Sequence, residues 1–284
     1  MKIVEPQKTI EIIRENGFSF KKSFGQNFLI DGRVLEKIAE AAQITKDDHV
    51  LEIGPGIGTM TQAMAEAAGR VTAVEIDSRL IPILEKNLAG YDNVHIINAD
   101  VLKTDIAAIA AEGGTPLKVV ANLPYYITTP IIMGLLEQDL PLCSITVMIQ
   151  REVADRMMAG PGTKEYGALS LAVQYRTQPN FIANVPPNCF IPRPGVGSAV
   201  IRLDRYDTPR VQVKDPDRMF RIIRTAFGQR RKTLVNTLIH DSELGLTREQ
   251  ILAVLRDMDL QETVRGEALT LEEFAELTDR LGQS

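Results

Sequence analysis

Five short segments are apolar at almost every position: HVLEI at 49–53, VTAVEI at 71–76, VHII at 94–97, LKVVA at 117–121 and SITVMI at 144–149. A strand with one wet face alternates apolar and polar residues, whereas a strand covered on both faces does not. Between these segments the apolar spacing is helical, over about 59–68, 79–89 and 130–137, and again from about 152. Pro82 sits in the first turn of the second of these, where its missing N–H costs little. Strand and helix alternating in this way predict an open α/β fold, a parallel sheet with helices on both faces. A further helix is expected over 33–43, from Val34, Leu35, Ile38, Ala39 and Ala42. Ligand sites in such sheets lie beyond the carboxyl ends of the strands.

Beyond residue 175 the texture changes. PNFIANVPPNCFIPRPGVGSAVIRL is proline-rich and ends in a strand over about 198–203, suited to antiparallel addition at the sheet edge. DTPRVQVKDPD reads as a linker. Helical patterns follow over 218–227, 230–239, 247–256 and about 270–281, with Thr247 and Thr270 placed as helix starts. The expected domains are 1–207, a catalytic sheet domain with an N-terminal helical extension, and 208–284, a small all-helical domain.

Net charge is −5, which argues against a uniformly basic nucleic-acid binder. The total hides an asymmetry, because residues 241–284 hold eleven acids and four bases. The stretch 219–232 contains Arg221, Arg224, Arg230, Arg231 and Lys232 and no acid. It is either a solvated helix face or a local patch that steers a polyanion. The two cysteines, Cys143 and Cys189, make no disulfide framework. His49 and His95 each adjoin a strand, His240 stands apart, and no metal site is expected. No apolar run approaches the ~20 residues of a spanning helix. The segment MKIVEPQKTIEIIREN mixes acids and bases and lacks a signal-peptide core, so a soluble intracellular protein is expected. No long coiled-coil pattern appears, and a monomer is the expectation.

GPGIG at 54–58 follows one strand and precedes a helix, with Gly54 and Gly56 permitting a tight turn and close approach of a ligand. Glu75 ends the next strand, where a carboxylate can accept both hydroxyls of a ribose. That pairing suits either NAD or S-adenosylmethionine. Pro55 interrupts the usual dinucleotide spacing, and no hydride chemistry is visible downstream, which favours the second. Asp100, at the end of the third strand, is placed to meet an adenine amino group.

NLPYYITTP at 122–130 ends the fourth strand in a polar amide. Asn122 offers an acceptor and two donors. Pro124 biases Leu123 away from helical geometry, so its carbonyl can lie beside the Asn122 amide. Two adjacent acceptors fit an exocyclic amine, and the Tyr125 ring can stack on its base. Adenine N6 is a poor nucleophile because its lone pair is delocalised. Gripping both amino hydrogens favours a pyramidal nitrogen whose lone pair faces a sulfonium methyl, by orientation and electrostatics rather than a strong base. The alternative is an asparagine that only closes a local turn.

Taken in order, FGQNFLID at 24–31, GPGIGTMT at 54–61, VEID at 74–77, NADVL at 98–102 and NLPYYITTP resemble the motifs of the ribosomal RNA adenine N6,N6-dimethyltransferases. Gln150 after the fifth strand, FIPRPGVGSAVIRL at 190–203 and AFGQRRKTL at 226–234 extend the resemblance from about residue 18 to 280. It implies a Rossmann-like S-adenosylmethionine-dependent methyltransferase sheet with a small all-helical C-terminal domain. Asn27 and Leu29 would join Gly54, Gly56, Glu75, Asp100 and Asn122 around the cofactor, and Phe190 would stack on the target adenine opposite Tyr125. The substrate would be two adjacent adenosines in a hairpin near the 3′ end of small-subunit (16S) rRNA, each dimethylated, within a partly assembled 30S particle in the cytoplasm. Lys21, Lys22, Arg193, Arg221, Arg224, Arg230, Arg231 and Lys232 are the candidates for phosphate contacts, which position RNA without reading sequence. The rival readings are a large-subunit rRNA or DNA adenine methyltransferase, a non-catalytic ribosome assembly factor, and a nucleotide-dependent oxidoreductase.

Overall fold

The five apolar segments lie side by side, but only four are well covered: the segment at 94–97 forms an edge strand with no fully buried residue, because a sheet margin has a neighbour on one side only. The computed structural model describes residues 2–21 and 25–282. Its strands are β1 Phe28–Leu29, β2 His49–Ile53, β3 Arg70–Glu75, β4 Val94–Asn98, β5 Leu117–Asn122, β6 Leu142–Gln150, β7 Thr177–Val185, β8 Phe190–Ile191 and β9 Ser198–Arg205. Seven of them form one sheet in the order β4-β3-β2-β5-β6-β9-β7, while β1 and β8 make a separate antiparallel pair. β2, β3, β4, β5 and β6 are mutually parallel, and β9 runs antiparallel to β6. The chain moves outward from β2 through β3 to β4, then returns to β5 and proceeds the other way. The strand order therefore reverses between β2 and β5, and the crevice at their carboxyl ends is where open α/β sheets bind ligands.

The first compact unit comprises Met1–Ala154 and Pro179–Arg205. Its helices are α1 Pro6–Glu15, α2 Gly32–Ala42, α3 Thr59–Ala67, α4 Ile81–Leu88, α5 Ile106–Gly113 and α6 Thr128–Glu137. Asp31 starts α2 by accepting the N–H groups of Arg33 and Val34 at 2.9 and 3.3 Å, and Asp105 starts α5 by accepting that of Ala108. Every residue of β2 is buried. Apolar side chains of α2 and α3 (Val34, Leu35, Ile38, Met60, Met64) share a core with Val50, Val71 and Val120 of the sheet. β7, whose edge position admits Pro179, was not resolved in the sequence as a strand of its own.

The second compact unit comprises Asp155–Gln178 and Tyr206–Ser284. Helix α7, Arg151–Met158, carries the chain into it. Its other helices are α8 Ala168–Arg176, α9 Pro216–Gly228, α10 Leu234–Leu238, α11 Arg248–Asp257 and α12 Leu271–Leu281. Thr247 and Thr270 form capping boxes with Gln250 and Glu273, so both expected helix starts stand. The sequence reading draws its line at 207/208 and leaves 155–178 with the sheet. In the structure, however, Tyr166, Leu171 and Tyr175 share a core with Met219, Ile222, Leu234 and Phe274. The expected linker is partly internal as well, since Val211 and Val213 pack against this core. The helix expected over 230–239 is shorter than its pattern. It begins at Leu234, with Thr233 as its cap, and leaves Arg230, Arg231 and Lys232 on the preceding turn.

Candidate active site

A cavity opens at the reversal point of the sheet. Asn27, Leu29, Gly54, Gly56, Glu75, Asp100, Asn122, Leu123 and Tyr125 all line it. Four strand ends and the segment around β1 thus bring together residues separated by up to about a hundred positions.

The glycine turn forms the floor. Gly54 and Gly56 have φ of 69° and 62°, in the left-handed region that favours glycine. A Cβ on Gly56 would lie 3.0 Å from the Phe28 ring, whereas one on Gly54 would meet nothing within 4 Å. The backbone at Gly54 is therefore open to a ligand, while that at Gly56 is closed by β1. Glu75 is buried, and its two carboxylate oxygens accept the N–H groups of Gly56 at 3.1 Å and Asp77 at 2.8 Å. Burial pushes its carboxyl above the usual range, and the two backbone donors partly offset this. Anchored in this way, the carboxylate keeps lone pairs for a diol. Asp100 accepts the N–H of Leu102 at 3.0 Å through one oxygen, which caps a short 3-10 turn and fixes the carboxylate at the cavity wall.

At the tip of β5, Asn122 donates from Nδ2 to the backbone carbonyl of Asn27 at 2.8 Å. That bond turns Oδ1 away from Asn27. The Leu123 N–H is taken by Met148 O at 3.1 Å, and among the described residues nothing donates to the Leu123 carbonyl. Tyr125 is half-buried and its hydroxyl shares a 2.7 Å hydrogen bond with Ser198 Oγ, at the start of β9. Burial raises its pKa.

Phe190 is placed otherwise than the family resemblance suggested. It pairs with Leu29 across the β1–β8 ladder, is 3% exposed, and packs in the core beneath the sheet rather than lining the cavity. The basic candidates divide. Arg221 is held by Asp241 at 2.7–3.1 Å and by Glu243, and Arg230 by Glu267 at 3.1 Å and the Lys164 carbonyl at 2.7 Å. Hydrogen bonds from Arg221, with Thr225 second, hold Asp241 down at about 2. Arg193, Arg224, Arg231 and Lys232 are exposed, and their side chains meet no partner among the described residues. The backbone N–H of Lys21 points to Gln26 Oε1 at 3.4 Å, and Lys22 lies outside the described residues. Among the described residues there is no metal-binding cluster, and no helix is long and apolar enough to cross a membrane.

Three features escaped sequence reasoning. Glu52 lines the cavity from an otherwise apolar strand, is 1% exposed, and has an oxygen with no partner. Burial lifts its carboxyl to about 8. An acid inside HVLEI was the available signal. Asp77, also buried, accepts from Gln26 at 2.9 Å and from Arg79 at 2.6 and 2.9 Å, which ties the segment before β1 to the end of β3. Burial alone would raise its carboxyl, but the Arg79 and Gln26 hydrogen bonds hold it below the usual range. Ser198, the partner of Tyr125, sits in the SAVIRL segment with no local mark of its role.

A glycine turn clamped by a buried acid, at the reversal point of a sheet in this order, defines the Rossmann-like S-adenosylmethionine-dependent methyltransferases. The orphaned Glu52 oxygen, the anchored Glu75 and the open backbone at Gly54 fit that cofactor. Comparison with known proteins narrows the class. Residues 17–277 match the model of the family described as ribosomal RNA adenine dimethylase. The ribosomal RNA small subunit methyltransferase A of Lachnoclostridium phytofermentans is 60% identical over 278 residues, covering 97% of this chain and 96% of that protein. The crystal structure of a dimethyladenosine transferase from Plasmodium falciparum superimposes with a TM-score of 0.76 at 27% identity, over 88% of this chain and 95% of that one. That of the 23S rRNA methyltransferase ErmE gives 0.70 at 28%, over 90% and 100%. The chain belongs to the ribosomal RNA adenine dimethylase family and is an S-adenosylmethionine-dependent rRNA adenine dimethyltransferase.

Proposed function

We propose that this enzyme dimethylates N6 of two adjacent adenosines in a hairpin near the 3′ end of 16S rRNA, and that the acceptor pair at the tip of β5 carries the reaction. The bound cofactor supplies an electrophilic methyl on a positively charged sulfur. Glu75 accepts the ribose hydroxyls, and Asp100 the adenine amino group, with Asn27, Leu29, Gly54 and Gly56 completing the walls. Asn122 Oδ1 and the Leu123 carbonyl take the two N6 hydrogens of the target, and the Tyr125 ring stacks on its base. With N6 held by these two acceptors, its lone pair would face that methyl and accept it, with the sulfur leaving as a neutral thioether and the surplus proton passing to solvent. After the first methyl only one N–H remains, so a single acceptor suffices to orient the second transfer. Phe190 supports Leu29 from the core instead of stacking on the base.

The observation that carries this reading is the orientation of the Asn122 amide. With Nδ2 given to Asn27, the group offers its oxygen to the crevice, as an amine requires. Arg193, Arg224, Arg231 and Lys232 are the phosphate contacts best supported by their free side chains. The particle bound is a partly assembled small subunit, in the cytoplasm, by a monomer. Purified small subunits, large subunits and DNA incubated with labelled cofactor test the substrate: label confined to two neighbouring dimethyladenosines of 16S rRNA, read by mass spectrometry, is expected. Label in large subunits or DNA overturns it.

A further inference from the structure

Three large exposed side chains belong to residues that line the cavity or stand next in sequence to one that does. Ile76 and Leu102 are each 48% exposed and Tyr126 is 60% exposed. Ile76 and Tyr126 line the cavity, and Leu102 follows Val101, which lines it too. Tyr126 differs from its neighbour Tyr125. The Tyr125 hydroxyl is tied to Ser198, whereas that of Tyr126 meets no partner among the described residues. The Tyr126 ring is nevertheless seated. Gly25 has φ +57°, and a Cβ there would lie 3.4 Å from Tyr126 Cδ1, 3.5 Å from Cε1 and 3.4 Å from Pro124 Cβ. One side of the ring leans on this backbone, and most of the rest faces solvent.

A single exposed apolar side chain is ordinary, but a ring backed by main chain on one side and bare on the other, at an active-site cavity, is placed to meet a flat ligand. The substrate reading supplies a use. To reach N6, an enzyme must take the adenosine out of its stack. When two adenosines are adjacent, extracting one uncovers a face of the other. A flat base with a bare face stacks on an aromatic side chain whatever its sequence.

We infer that Tyr126 is the platform for the neighbouring, non-reacting adenosine, held there while its partner occupies the site beside Tyr125. This rests on the adenosine-pair reading above. The ring, not the hydroxyl, performs the task.

Small subunits are reconstituted with 16S rRNA bearing either the adenosine pair or one adenosine beside an abasic nucleotide. Methyl transfer is measured as kcat/KM at saturating cofactor. On the adenosine pair, Tyr126→Ala is expected to lose about ten- to a hundredfold, the usual scale for one base–aromatic stack, and Tyr126→Phe to stay within about twofold of wild type. On the abasic substrate the wild type is expected to be slowed to a similar degree, with Tyr126→Ala costing nothing more. An equal loss from Tyr126→Ala on both substrates, or no loss on either, overturns the proposal. A wild type that methylates neither substrate overturns the adenosine-pair reading, and the platform with it.

Discussion

Asn122 and Asn27 stand 95 positions apart, yet the side-chain amide of one is aimed by the main-chain carbonyl of the other at 2.8 Å. The Asn27 side chain in turn donates to the Gly25 carbonyl at 3.1 Å. The group proposed to grip the substrate amine is thus set by the segment that walls the cofactor cavity.

Asn122→Ala removes the acceptor, and Asn122→Asp removes the donor to Asn27 while placing a negative oxygen against its carbonyl. Both variants are expected to lower kcat on small subunits by about a hundred- to a thousandfold, the scale of losing one preorganised polar group. Calorimetry should find cofactor affinity little changed, because Glu75 and Gly54 are untouched. An Asn122→Asp variant as active as wild type would dismiss the aimed-amide account.

Glu52 makes a pH prediction. Its folded-state carboxyl lies at about 8, against 4.5 for the ordinary group. Between those values the folded protein holds a proton that the unfolded chain has released, so this residue's contribution to stability falls as pH rises through that window. Glu52→Gln mimics the protonated form. In thermal unfolding of the cofactor-free protein, wild type and Glu52→Gln should nearly coincide near pH 4.5 and diverge toward pH 8, with the variant the more stable. Parallel curves would remove burial of Glu52 from the account.

The basic residues separate by partner. Reversing Arg224, Arg231 and Lys232 to glutamate should weaken rRNA binding and lower the slope of log affinity against log salt by about 2 to 3, at about 0.7–0.9 per lost phosphate contact. Arg221→Ala should behave differently. It strips Asp241 of its guanidinium and should lower the melting temperature more than it alters the salt slope. Filter binding across a salt series, with melting curves beside it, distinguishes the two.

The four inner parallel strands were legible because burial on both faces leaves almost no polar position to misread, and β4 from its apolar run despite its partial exposure. The edge was harder. β7 exposes Gln178, Asn180 and Asn184, and its Pro179 reads as a loop until the strand is known to lie at the margin. Tyr166, Leu171 and Tyr175 gave no hint of which core they would join, since an apolar side chain does not encode its distant neighbours. Glu75, Asp100 and Asn122 were found at strand ends because topology delivers every such end to one crevice. Phe190 came from resemblance alone, and its burial follows from pairing with Leu29, a contact across more than 150 positions. Arg221 looked free because its acids lie twenty and more residues away, beyond any local charge pattern.

The route from Gly25 through Asn27 to Asn122 has a consequence for how much of this chain is dispensable. A protein truncated to begin at Phe28 would retain every strand of the large sheet, the glycine turn and the buried acid of β3. It would lose the carbonyl that keeps the amide pointing outward and, with it, the buried side chains of Ile3, Val4 and Ile12 that pack on Ile57, Leu80 and the sheet core, so aim and support would go together.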